Sequence, residues 1–329
     1  MKTPAFWAQG GGHLMPLLLS PLACLYGGVS RLHRGIQRRH SVAVPVICVG
    51  NVVAGGAGKT PVAIAIARMF IARGLRPHFL SRGYGGSLKG PVRVVLDVHK
   101  FTEVGDEPLI LAEIAPTWVA KDRLAGAEAA ARNGADVIIM DDGFQNPALH
   151  KDFSLLVLDA EYGVGNGRLL PAGPLRESLP NALGRCDAVV LVEGDKHSAI
   201  INRLKINKPV YNSTLAPTAS GEPLSGQKVV AFAGIGRPEK FFKSLIGAGC
   251  ELMHSFSYPD HHVYTADEMM KMVECATDAG AALVTTRKDY VRLPMEARMM
   301  VSVFDVDMVF SAPEGLQAAL LSLVKGRDG

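Results

Sequence analysis

Between an apolar, β-branched run at residues 44–50 (VPVICVG) and an Ala/Ile-rich stretch of helical spacing from Thr60 to Arg73, the chain carries Gly55-Gly56-Ala57-Gly58-Lys59-Thr60. That order predicts strand, glycine loop, helix. Glycines at a helix N-terminus let backbone N–H groups close around phosphate oxygens, and the helix end adds positive potential. Lys59 can then reach the β- and γ-phosphates, and Thr60 can ligate Mg²⁺. Pro61 fits, because first-turn N–H groups have no partner within the helix. The strict pattern wants Gly at position 53, where this chain has Val53. Gly55, Gly56, Ala57, Gly58, Lys59 and Thr60 thus form a variant phosphate loop.

A nucleotide site of this kind needs a carboxylate at the end of a neighbouring strand to hold the metal or its water. Val137-Ile138-Ile139-Met140-Asp141-Asp142 supplies one in Asp141, while Asp142 is a supporting partner or a turn residue before Gly143. Further apolar runs at 92–96, 154–158 and 188–192, with helical stretches such as 107–114 and 122–132, argue for a doubly wound, mostly parallel sheet. Near 212–228 the composition turns to Ser, Thr, Pro and Gly before a new strand-like run, VVAFAGIG. The expected fold is α/β: a phosphate-loop NTPase-like doubly wound sheet over 41–215, a second, smaller α/β domain over 225–329, and an N-terminal helical segment over 1–40. Gly234-Ile235-Gly236 is only a partial dinucleotide fingerprint, because no third glycine follows at the right place.

Length agrees with this division, since 329 residues is about twice a typical domain. Lys and Arg exceed Asp and Glu by 35 to 31. Residues 1–40 hold five of the basic side chains, Lys2, Arg31, Arg34, Arg38 and Arg39, and no acid, so the excess is entirely N-terminal. A general nucleic-acid-coating surface is excluded on that distribution. Within the same segment, Leu14 to Val29 reads LMPLLLSPLACLYGGV, interrupted by Pro16, Pro21 and Gly27-Gly28. The run is short for a span, and its basic residues follow it where a secretory signal would have them first. An apolar run beside basic residues suits an anionic membrane surface; the competing fold is a helix packed on the main domain. The five cysteines are odd in number and widely spaced, which excludes a disulfide framework or a zinc knuckle.

Six blocks then occur in order: GGAGKTP, Ser81-Arg82-Gly83-Tyr84-Gly85-Gly86, Gly105-Asp106-Glu107-Pro108, Asp141-Asp142-Gly143-Phe144-Gln145, Leu170-Pro171-Ala172-Gly173-Pro174-Leu175-Arg176-Glu177, and Asp260-His261-His262. Together they resemble the tetraacyldisaccharide 4′-kinases of lipid A biosynthesis. The resemblance implies phosphoryl transfer from ATP, with Mg²⁺, to the 4′-hydroxyl of a tetraacylated disaccharide 1-phosphate. It implies a peripheral position on the cytoplasmic face of the inner membrane, an anionic glycolipid substrate, no nucleic acid and no obligate protein partner. Thr60, Asp141 and Glu177 form the implied metal set, and Arg82 and Arg176 the implied substrate-phosphate clamps. Asp106, which otherwise reads as a helix N-cap, is the candidate base; the resemblance pairs it with a histidine, His261 being preferred to His262. Lys59 completes the catalytic set. One position departs from the family pattern: Asn146 stands where a histidine is usual. A GTPase would need a guanine-reading Asn-Lys-x-Asp, and the chain has none. A nucleotide sensor would have no use for Asp106 and His261.

Overall fold

The computed structural model describes residues 4–56, 58–193, 197–218 and 224–325, so Ala57 of the phosphate loop lies outside the described residues. The chain forms two units, one of residues 4–215 with 308–325 and one of residues 216–307.

The larger unit is built on nine strands: β1 (Val46–Gly50), β2 (Pro77–Ser81), β3 (Val92–Arg93), β4 (Thr117–Val119), β5 (Val137–Asp141), β6 (Phe153–Asp159), β7 (Ala188–Val192), β8 (Val210–Pro217) and, after the smaller sheet, β13 (Val306–Phe310). Their order across the sheet is β13-β8-β7-β6-β1-β5-β2-β4-β3. β1 lies between β5 and β6, parallel to both, whereas the two edge strands run antiparallel to their neighbours: β3 to β4, and β13 to β8, where Thr218 N donates to Asp305 O and Ser311 N to Asn212 O, both at 3.0 Å. Both faces of β1 are covered, so every one of its residues is buried. Successive side chains point to opposite faces: Ile47 and Val49 pack with Ile66 and Phe70, whereas Cys48 packs with Leu80, Ile138 and Met140. This explains why the run is continuously apolar and not alternating.

The structure differs from the sequence expectation in two respects. The run at 92–96 pairs over Val92 and Arg93 alone, while β2 and β4, read as neither strand nor helix, take the interior places. The segment from Met308 was expected in the second domain, but β13 and the helix Pro313–Lys325 belong to the larger unit. There Met308, Phe310, Leu316 and Leu320 are buried against Ile66, Val157 and Val190. Apolar burial outweighs adjacency in sequence.

The smaller unit has four parallel strands in the order β10-β9-β11-β12: β9 (Lys228–Ala233), β10 (Glu251–Ser257), β11 (Ala282–Thr286) and β12 (Ser302–Phe304). Val229 and Ala231 face Phe241, Phe242 and Leu245, while Val230 and Phe232 face Tyr264, Met269 and Met272.

Helix α1 (Leu14–Ile36) runs unbroken through the prolines and glycines expected to interrupt it. Pro16 falls in the first turn, where its missing N–H costs nothing. Ser20 Oγ donates to the Pro16 carbonyl at 2.7 Å. The helix is long and apolar enough to cross a membrane by length and composition. Leu14, Leu18, Leu22, Leu25, Val29 and Leu32 are exposed along it. Its other side meets the loop before Glu177: Arg168 donates to Ser20 Oγ at 2.9 Å, and Arg34 lies 3.7 Å from Glu177.

Candidate active site

The phosphate loop leaves the C-terminal end of β1 beneath a backbone clamp. Val53 and Leu175 form an antiparallel bridge, with Ala54 N donating to Pro174 O at 2.8 Å and Arg176 N to Val52 O at 2.7 Å. Val53 is buried in this pairing, which accounts for a side chain where the strict pattern has glycine. Gly55 and Gly58 have φ of +117° and +81°, a region that a side chain would strain. Gly58 caps helix α2 (Lys59–Ile71), so Lys59 is its first residue. The Lys59 side chain is buried and lies 3.9 Å from Asp142 Oδ1.

Thr60 Oγ1 donates to Asp141 Oδ2 at 3.1 Å, while Asp141 Oδ1 is buried and has no hydrogen-bond partner. Burial, then the charge of Glu107, raises the Asp141 carboxyl to about 7, against Lys59 and the Thr60 hydroxyl. A hydroxyl beside a desolvated carboxylate with one idle oxygen is the donor set that a small hard cation takes, so the residues fit Mg²⁺. For Asp142, burial pushes the carboxyl up, but Lys59 and Arg176 outweigh it and hold it below the usual carboxylate range. Its φ of +52° is a left-handed backbone turned out of the strand.

The arginines divide by partner. Arg176 Nη1 donates to both oxygens of Asp142 at 2.9 Å, so it is held against the carboxylate beside the loop. Arg82 is exposed immediately after β2. Arg123, which sequence reading missed, is buried, and its Nε has no hydrogen-bond partner. Burial, then the like charge of Arg82, lowers its guanidinium to about 10. An arginine after a helix-capping Asp122 carries no motif, so only the spatial neighbourhood of Arg82 reveals it.

Glu177, the third residue of the expected metal set, is engaged by other side chains here. Its carboxylate is buried; Arg185 donates to Oε2 at 2.5 Å, Arg34 lies 3.7 Å from the same oxygen, and Gln145 donates to Oε1 at 3.1 Å. Two guanidiniums and an amide satisfy it, and none of these contacts runs to Thr60 or Asp141. Asn146 Oδ1 accepts from Ala148 N and Leu149 N at 3.2 Å, so this side chain closes its own turn.

Asp106 begins the helix Asp106–Ala112 and is buried, with Oδ1 accepting from Glu107 N at 2.9 Å. The two candidate histidines are in the smaller unit. His262 Nε2 lies 3.0 Å from Glu268, and its ring stacks on Tyr258 at 4.6 Å. His261 has φ of +60° and sits 3.8 Å from Asp260.

Residues 15–325 match the family model of LpxK, tetraacyldisaccharide-1-P 4′-kinase. The tetraacyldisaccharide 4′-kinase of Paramagnetospirillum magneticum is 49% identical over 313 residues, covering 95% of this chain and 96% of its own. That of Parvibaculum lavamentivorans is 51% identical over 298 residues, covering 89% and 87%. The crystal structure of LpxK from Aquifex aeolicus in complex with ATP superposes with a TM-score of 0.75 at 27% identity, over 94% of this chain and all of that one. With its phosphate loop, its Thr60–Asp141 pair and this likeness along nearly its whole length, the chain belongs to the LpxK family of tetraacyldisaccharide-1-phosphate 4′-kinases.

Proposed function

We infer that the chain transfers the γ-phosphoryl group of ATP to the 4′-hydroxyl of a tetraacylated disaccharide 1-phosphate in lipid A biosynthesis. The observation that carries this is the buried Lys59 behind a left-handed Gly58, beside Thr60 bonded to Asp141. Backbone N–H groups at the start of α2 receive phosphate oxygens, and Lys59 neutralises the β/γ region. Thr60 and Asp141 would hold Mg²⁺, which when bound neutralises charge developing on the phosphates. Arg176 fixes Asp142 beside Lys59, while Arg82, just after β2, and Arg123, at the start of a helix, add the positive charge a phosphorylated acceptor needs. Asp106 takes the hydroxyl proton and His261 is its partner. Support for His261 over His262 is that the latter ring is already engaged by Glu268 and Tyr258.

The exposed apolar row of α1 suits seating on the cytoplasmic face of the inner membrane, where the lipid acceptor resides. Arg31, Arg34, Arg38 and Arg39 add attraction to anionic headgroups. ATP turnover with and without the tetraacylated disaccharide 1-phosphate tests the assignment. Phosphate transfer to the 4′-oxygen is expected; turnover indifferent to the lipid would leave a nucleotide hydrolase or sensor.

A further inference from the structure

The Asp260-His261-His262 turn rests on a buried polar cluster that no motif above includes. His261 N donates to Gly234 O at 3.1 Å, and Arg292 Nη1 donates to the same carbonyl at 2.9 Å. The other side of Gly234 is fixed as firmly, its N–H donating to Asp289 Oδ1 at 2.8 Å. Asp289 is fully buried and also accepts from Tyr264 Oη at 2.7 Å, Arg292 Nη1 at 3.2 Å and, through Oδ2, Thr286 Oγ1 at 2.6 Å. A Cβ on Gly234 would stand 3.0 Å from Tyr264 Oη and 3.1 Å from both Asp289 Oδ1 and His262 Cβ. Glycine is therefore required by close approach, which gives the partial dinucleotide fingerprint a different explanation.

Such investment has a target. His261 keeps a left-handed backbone, φ +60°, which is uncommon for a residue other than glycine and is held here by its N–H bond to Gly234. We propose that Asp289 is the positioning residue for His261, holding its backbone through Gly234 with Tyr264 and Arg292 as braces. The role is distinct from binding, because the hydrogen bonds of Asp289 lead to the His261 backbone through the Gly234 peptide. It rests on the reading of His261 as partner of Asp106.

The test is steady-state phosphoryl transfer by the full chain, with ATP and the tetraacylated disaccharide 1-phosphate as probes. Asp289→Asn keeps the shape and removes the charge; Tyr264→Phe removes one donor and keeps the ring. Loss of orientation should lower kcat by about ten- to a hundredfold in the first and by less in the second, with the KM for ATP unchanged. In the His261→Ala background both effects should vanish. A role in folding alone would lower the Tm and the active fraction equally in both backgrounds. Persistence of the kcat loss without His261 overturns the proposal, and so does a wild-type kcat in both variants. If Asp289→Asn fails to fold, Tyr264→Phe decides by the same criterion. A wild-type kcat in His261→Ala would overturn the reading of His261 and this proposal with it, whereas a slow His261→Ala beside fast Asp289→Asn and Tyr264→Phe overturns positioning alone.

Discussion

Thr60 and Asp141 share a hydrogen bond of 3.1 Å that leaves the second Asp141 oxygen buried and unpartnered. Because burial raises this carboxyl to about 7, the folded metal-free chain holds a proton more tightly than the unfolded one. The resulting stability is complete below the ordinary carboxylate range and is lost as pH rises through about 7. Thermal melts between pH 5 and 9 should show that loss in metal-free wild type, its reversal by Mg²⁺ at the alkaline end, and neither in Asp141→Asn. A Mg²⁺ response retained in Asp141→Asn would place the cation elsewhere.

Lys59 is buried within 3.9 Å of Asp142. Removing its ammonium leaves the phosphoryl charge without its main side-chain partner, so Lys59→Ala should lower kcat by at least about a hundredfold. Rates within tenfold of wild type, measured by lipid phosphorylation, would refute the assignment. Thr60→Ala should instead raise the Mg²⁺ requirement, read from an Mg²⁺ titration of the rate.

Glu177 joins α1 to the main body through Arg34 and Arg185. Glu177→Ala strands two guanidiniums that retain some solvent, so the cost should be about 1–3 kcal/mol. Chemical denaturation measures it. Because the carboxylate is satisfied by arginines and Gln145, the Mg²⁺ concentration for half-maximal rate should stay near the wild-type value; a large rise would return Glu177 to the metal set.

Leu18, Leu22 and Leu25 are 64%, 54% and 65% exposed. Their triple change to Ser removes nothing from the core and should leave the Tm unaltered. Each leucine entering lipid is worth about 1.5–3 kcal/mol, so binding to anionic vesicles should fall at least about a hundredfold, and the KM for the lipid should rise far more than that for ATP. Co-sedimentation at low and high salt separates this from the contribution of the arginines.

Asp106→Ala and His261→Ala should each lower kcat by about two to four orders of magnitude, with little change in ATP affinity. If the residues act as one unit, the double variant is no slower than the worse single one. Strict additivity in that cycle would separate them, and a loss on His262→Ala with none on His261→Ala would exchange the rings.

The phosphate loop and Asp141 were legible because their chemistry sits in short contiguous strings bounded by an apolar strand. Arg123 was not, since it opens a helix and its meaning depends on the charge of Arg82, which follows β2 far off in sequence. The ion pairs of Glu177 were not legible for a similar reason: Arg34 and Arg185 lie on either side of it in sequence, and only folding shows that they meet it. The strands at Pro77–Ser81 and Thr117–Val119 were missed because one begins with Pro-His and the other has three residues. His78 is nonetheless accommodated inside, accepting from Trp118 Nε1 at 3.3 Å while burial lowers its imidazole.

The bridge between Val53 and Leu175 gives α1 a second constituency. Arg168 and Leu169, just ahead of Leu175, meet Ser20 and Gly27 of the helix, where a methyl group on Gly27 would stand 2.7 Å from Leu169. Substitutions on that row are expected to press through one stretch of backbone toward the phosphate loop, whereas those along Leu18, Leu22 and Leu25 fall on the exposed row. Cutting the helix away would disturb both rows at once, so a truncated enzyme is a poor gauge of what the membrane contributes. Two edges of one helix thus meet two different surroundings, the main body along one and solvent along the other.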